Sequence, residues 1–211
     1  MLAVFADHEA PELDVPTPDS FRLARGVLER VSTTQSPQPH IAIVGRRLAS
    51  PARLAEPGDH LVVYLDAVSD PGNVGTVLRS AEAMGAAFVV LGAGSVDPFN
   101  PKVVRASAGA LFCVPVVEVE NLSVLVDAGY RTVGTSSHPD SRAVPLEQLD
   151  VAGRLAIVMG NESHGVTAAA GALVREWTYV PHVGRAESLN VAMATTIICY
   201  DVARRRATSL N

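Results

Sequence analysis

The sequence predicts an α/β domain built on a parallel sheet with helices on both faces. From residue 61 onward, short runs made almost wholly of β-branched and other apolar residues (61–65, 88–91 and 155–159) alternate with stretches of helical spacing. Runs without a polar alternate belong to strands covered on both faces, which is the habit of parallel sheets. Hydrophobic residues make up 48% of the 211 and charged residues 18%, enough for a large core and too apolar for a disordered chain.

Residues 1–58 are the least regular part. A short apolar start (1–5) leads into an acidic stretch (7–19) holding Pro11, Pro16 and Pro18. Residues 21–31 place Phe21, Leu23, Ala24, Val27, Leu28 and Val31 at helical spacing. A Ser/Thr/Gln/Pro loop (32–39) precedes a strand at 40–44, and 50–59 reads as a linker. One helix and two strands make a thin core. Residues 1–58 are therefore expected to be part of a small α/β domain plus a linker, with residues 59–211 as the main domain.

In the main domain the pattern gives a strand at 61–65 and a helix at 74–84 that stops at Gly85. A strand at 88–91, a helix at 101–108 and a strand at 113–117 follow. Asn121 is placed to cap a helix over 121–128. Strands at 131–134 and 155–159, a helix at 166–173 and a short strand at 178–180 come next. The chain closes on a helix, from about 190, that is apolar on nearly every side and so is expected to be buried on every side.

Ligands of such sheets bind beyond the C-terminal ends of the strands. Four loops leave strand ends with small or polar residues: 66–75, 135–140, 160–165 and 181–187. Three of the four fall late in the chain, so the site is expected there. A Rossmann enzyme would place its phosphate loop after the first strand instead.

Several classes are excluded or disfavoured. No apolar run is long enough to span a bilayer, and no basic leader opens the chain, so the expectation is a cytoplasmic protein without a membrane segment. Cys113 and Cys199 have no CxxC spacing and read as reduced core residues, and no histidine or cysteine pair suggests a metal site. A net charge of −5 argues, by itself, against nucleic-acid binding. Lys102 is the only lysine, so the positive charge is nearly all arginine.

Taken singly, the polar positions have ordinary readings. Asn73 is placed to cap the helix after it, and Arg79 is spaced to pair with Glu82. Glu162 reads as a carboxylate at a helix start, His164 as a loop histidine and Ser188 as an N-cap. Asn190 is less ordinary, because an amide in the first turn of a buried helix needs partners. Neither GxGxxG nor GxxxxGK[ST] is present, which disfavours a nucleotide-dependent oxidoreductase.

Together the motifs have a specific order. Asp70-Pro71-Gly72-Asn73-Val74-Gly75 with Arg79 comes first, and the segment Asp97-Pro98-Phe99-Asn100-Pro101-Lys102 to Gly109-Ala110 follows. Val158-Met159-Gly160-Asn161-Glu162 with Gly165 is next, and Val180-Pro181 followed by Glu187-Ser188-Leu189-Asn190-Val191-Ala192 is last. In this order they resemble the SpoU (TrmH-type) branch of the SPOUT RNA methyltransferases, over roughly residues 60–206.

The resemblance implies a deep trefoil knot at the C-terminus, S-adenosylmethionine held by the knotted loops, and a homodimer. It implies methyl transfer to a ribose 2′-hydroxyl of RNA, ribosomal ahead of transfer RNA. By position, Thr135, Gly160, Val180 and Leu189 would contact the cofactor. Asn73, Arg79, Glu162, Ser188 and Asn190 match the catalytic and substrate-side positions. A guanidinium does not give up its proton in a protein, so Arg79 is expected to position phosphate and meet developing charge, not to act as a base. The family carries a complete small RNA-binding domain before the linker, and only its final portion is read in residues 1–58. A second expectation follows, that the chain holds cofactor or RNA as a knotted dimer with weak turnover.

Overall fold

The computed structural model describes residues 1–13, 19–32, 34, 36–137 and 142–209. Residues 14–18 of the acidic stretch, 33 and 35 of the Ser/Thr loop and 138–140 of the 135–140 loop lie outside them. The chain divides into two compact units, Met1–Arg47 and Leu48–Asn211.

In the first unit a three-stranded sheet has the order β2-β1-β3, with β1 Ala3–Ala6, β2 Ser20–Arg22 and β3 His40–Ile43. β1 runs parallel to β2 and antiparallel to β3. The helix expected over 21–31 is only the five-residue α1, Val27–Val31. Phe21 instead pairs across from Phe5, and their rings stack at 5.3 Å. Gly26, at φ 76, separates strand from helix, a left-handed conformation that glycine adopts at little cost.

The second unit is a seven-stranded parallel sheet in the order β6-β5-β4-β9-β7-β10-β8. Its strands are β4 Leu61–Asp66, β5 Phe88–Leu91, β6 Val116–Glu118, β7 Arg131–Ser136, β8 Ala143–Pro145, β9 Leu155–Gly160 and β10 Glu176–Tyr179. The helices are α2 Pro71–Ala83, α3 Pro101–Ala106, α4 Ser123–Asp127, α5 Ala168–Gly171 and α6 Val191–Ser209. The chain builds outward from β4 to β6, lays down β7 and β8 on the other side, and only then inserts β9 between β4 and β7. β10 fills the next gap, between β7 and β8.

Each central strand feeds two cores. Leu61, Val63 and Leu65 of β4, with Leu155, Ile157 and Met159 of β9, pack in one cluster with Val74, Val77 and Leu78 of α2 and Ile198, Cys199 and Val202 of α6. Their alternates, Val62, Tyr64, Ala156 and Val158, pack in the second with Leu122, Leu125 and Tyr130. A strand's side chains alternate between faces, so continuous apolar runs serve both layers. Leu54, within the stretch read as linker, sits fully buried in the second cluster on the short 3-10 turn Pro51–Ala55.

Three further expectations are corrected. α6 is not buried all round: Met193, Ile197 and Tyr200 are 57%, 39% and 55% exposed, at a spacing that puts them on one helix face. Cys113 is exposed; only Cys199 is a core thiol. α2 begins at Pro71, and Asp70 is its cap, accepting from Asn73 N at 2.8 Å. Among the described residues, no helix is long and apolar enough to cross a membrane.

Candidate functional site

β9, β7 and β10 are neighbours in the sheet, so the loops that leave their C-terminal ends gather in one place. There they line a cleft of about 550 Å³, within the range usual for small-molecule sites. Thr135, Ser136 and Ser137 come from the end of β7, and residues 159–166 from β9 and its turn. Trp177, Tyr179, Val180 and His182 come from β10 and its loop, and Ser188 to Val191 from the approach to α6. Ala194 and Ile198 of α6 close the floor.

Thr135, Gly160, Val180 and Leu189, expected at a cofactor, all line this cleft, as do Glu162, Ser188 and Asn190. Asn73 is brought to the same place by hydrogen bonds. Its Nδ2 donates to Glu162 Oε1 at 2.7 Å, and its Oδ1 accepts from Asn190 Nδ2 at 2.9 Å. Asn190 in turn caps α6, its Oδ1 accepting from Ala192 N at 2.9 Å and Met193 N at 3.3 Å. The cap expected at Ser188 is therefore two residues later, and Asn190 has the partners its position demands. One side-chain chain, Asn190–Asn73–Glu162, links α6, α2 and the turn after β9.

Arg79 is not among the lining residues. It stands six residues beyond Asn73 on α2, about 9 Å along the helix axis, and is exposed. Among the described residues it makes no ion pair with Glu82, the partner its spacing suggested. Glu162 does not start a helix either. It lies in the tight turn after β9, and α5 begins later, capped by Thr167 through Ala170 N at 3.2 Å.

That turn is closed by backbone. Asn161 N donates to Gly165 O and Gly165 N to Asn161 O, both at 2.9 Å. A Cβ at Gly160 would stand 2.2 Å from Gly165 C and 2.3 Å from Val166 N, so only glycine permits the closure. Asn161, which its motif names without assigning it a role, organises the inside: its Oδ1 accepts from Ser163 N at 2.9 Å, and its Nδ2 donates to Ala67 O at 2.8 Å. Thr135 Oγ1 ties the end of β7 to Val158 O at 3.0 Å.

The opposite wall differs. Residues 181–188 are exposed, and His182 spans the base of their loop, with Nδ1 3.1 Å from Val180 O and Nε2 3.0 Å from Ala186 O. Chemically, the cleft offers apolar surface from Met159, Val180, Leu189 and Ile198 beside serine and threonine hydroxyls, backbone groups and the Glu162 carboxylate. That mixture suits a small molecule with a flat apolar part and a charged polar part. Among the described residues no group of three or more His, Cys, Asp or Glu is arranged to hold a metal ion.

Residues 60–200 match the model of the SpoU rRNA Methylase family. The chain is 36% identical over 187 residues to the 23S rRNA (guanosine(2553)-2′-O)-methyltransferase RlmP of Bacillus subtilis, covering 85% of this chain and 71% of that protein. It is 31% identical over 189 residues to the 23S rRNA (uridine(2479)-2′-O)-methyltransferase of Streptomyces viridochromogenes, covering 85% of this chain and 65% of that one. Among solved structures, the SpoU methyltransferase AviRb of Streptomyces viridochromogenes, in complex with the cofactor AdoMet, superposes with a TM-score of 0.84 at 28% identity. It covers 98% of this chain and 83% of that one. The AdoMet-bound rRNA methyltransferase of Sinorhizobium meliloti gives a TM-score of 0.82 at 26% identity, covering 97% and 80%.

Proposed function

The chain belongs to the SpoU rRNA Methylase family, and from that premise we propose that it transfers a methyl group from S-adenosylmethionine to a ribose 2′-hydroxyl of RNA, ribosomal ahead of transfer RNA. The observation that carries the reading is the cleft itself, where three loops from adjacent strand ends meet the capped start of α6. Its mixed lining fits the methyl donor, with an apolar wall for a purine and polar groups for a ribose and an amino-acid end. Thr135, Gly160, Val180 and Leu189 would hold that donor. When bound, it supplies an electrophilic methyl carried by a sulfonium.

The chain's own residues would do the rest. Asn73, Glu162 and Asn190, bonded in series, fix the approach to the reacting methyl. Ser188, exposed at the rim, is free to meet the incoming nucleotide. Arg79, exposed two turns along α2 and outside the cleft lining, holds a phosphate of the RNA and so positions the nucleotide. Positioning and preorganised charge are the means available to such a site.

The same reading includes a deep trefoil knot at the C-terminus; the late insertion of β9 and β10 between earlier strands supports it. It includes a homodimer, supported by the exposed Met193, Ile197 and Tyr200 stripe of α6. It assigns residues 1–58 to RNA contact and a linker, 59–211 to catalysis, and the work to the cytoplasm, where ribosomal RNA is made.

Transfer of labelled methyl to ribosomal and to transfer RNA tests the function, with the label mapped to its atom. Label on a 2′-oxygen of ribosomal RNA is the expected result. Label on a base, or none in either RNA, contradicts it.

A further inference from the structure

Among the described residues, the roles assigned above leave one buried carboxylate unused. Asp66, the last residue of β4, is 5% exposed and stands in register with Gly160 of β9. A carboxylate is rarely left there without a task, because burial removes its water. Its Oδ2 accepts from Thr167 N at 2.6 Å, across 101 residues of sequence. The residue after it, Ala67, has a φ of 55, a left-handed conformation that strains any residue with a side chain. Ala67 O accepts from Asn161 Nδ2 at 2.8 Å. Two successive residues at the end of β4 thus hold the turn after β9 at both feet, Asn161 at its entrance and Thr167 just past its exit. Tyr64, two residues back on the same face, has its phenol raised to about 12, chiefly by burial and then by the Asp66 charge.

We propose that Asp66 is a positioning residue for methyl-donor binding, its buried carboxylate setting the 160–165 turn against the cleft through the Thr167 N–H. The inference rests on the function proposed above. Asp66 is not among the residues lining the cleft; it acts through the turn that carries Gly160 and Glu162. The strain kept at Ala67 fits this role, since that conformation turns its carbonyl toward Asn161.

Calorimetry with S-adenosylmethionine separates the two claims. Absence of binding by the wild-type chain would defeat the functional reading. If the wild type binds, Asp66→Ala should bind at least tenfold more weakly, with KM for RNA unchanged at saturating donor. Asp66→Asn, whose carbonyl oxygen accepts the same N–H, should return to within about threefold of wild type. Thr167→Ala removes the α5 cap but keeps the backbone N–H, so it should lower the melting temperature and leave donor affinity alone. Wild-type affinity in Asp66→Ala, or an equal loss in Thr167→Ala, would overturn the inference. Should Asp66→Ala fail to fold, Asp66→Glu decides: it keeps the charge but moves the acceptor by one methylene. Weakened donor binding upholds positioning, and wild-type affinity overturns it.

Discussion

The two walls of the cleft are built in opposite ways. The turn after β9 is short, locked by a reciprocal backbone pair between Asn161 and Gly165, filled by the Asn161 side chain and held from below by Asp66 and Ala67. The loop after β10 is longer and open. Val183 at its tip is fully exposed, and its base is bridged by the His182 ring. This bridge is a single side chain, whereas the wall opposite is held by a reciprocal backbone pair, the Asn161 side chain and two residues at the end of β4. The difference divides the site: one wall is preformed around a strained Ala67 and an obligatory Gly160, while the other, exposed and bridged by one ring, is expected to yield to an entering ligand. The Asn190–Asn73–Glu162 chain joins the two across α2.

The largest effect is expected on the fixed wall. Gly160→Ala puts a methyl 2.2 Å from Gly165 C, a backbone contact no rotamer relieves. Donor affinity should fall by about a hundredfold or more, and a melting curve should show lost stability on the order of 1–3 kcal/mol. Near-normal donor binding by this variant would mean the wall is not fixed.

Asn73→Ala cuts the link between the walls. Turnover should drop by about a hundredfold, with donor affinity changing by no more than threefold, as single-turnover kinetics beside calorimetry would show. A loss confined to donor affinity would place Asn73 in the pocket and not between its walls.

His182→Ala removes the bridge of the yielding wall. Net hydrogen-bond contributions of about 0.5–1.5 kcal/mol predict donor binding weakened three- to tenfold, mostly through faster dissociation, and an unchanged melting temperature. A large fall in melting temperature would show that this loop is as structural as its counterpart.

The smallest effect concerns the floor beneath the yielding wall. Burial pushes the Cys199 thiol on α6 up to about 12, so it stays protonated and unreactive across the working pH range, whereas Cys113 is exposed. Alkylation of the native chain should modify one thiol and leave activity intact. It should still modify only one in His182→Ala; a second reactive thiol there would show that loosening the loop also loosens α6.

Legibility followed the range of the forces. β4, β5 and β9 were readable almost to their ends because strands buried on both faces are apolar at every position. β8 was missed: three residues at the sheet edge, Ala143–Pro145, carry no run long enough to stand out. Phe21 has helical neighbours in sequence, but its partner Phe5 lies on another strand, so tertiary pairing overrode local spacing. The caps shifted from Asn73 to Asp70 and from Ser188 to Asn190 because each stretch offers two good capping side chains and only the first helical turn chooses between them.

The site was legible as a set of loops and motif positions. Its wiring was not, since Asn73 meets Glu162 across 89 residues and Asn190 across 117. Asp66 gave no local signal, because its partner is a backbone N–H. The exposed face of α6 was hidden because apolar composition does not distinguish a side chain turned inward from one left at the surface.

Arg79 makes the sharpest demand on the whole account, because it lies off the cleft on an exposed turn of α2. Methyl transfer to RNA by Arg79→Ala, measured beside its affinity for S-adenosylmethionine, tests the claim that donor binding and nucleotide positioning belong to separate parts of the site. The account predicts donor affinity within about twofold of wild type and transfer reduced by about a hundredfold or more. Transfer within about threefold of wild type would contradict it.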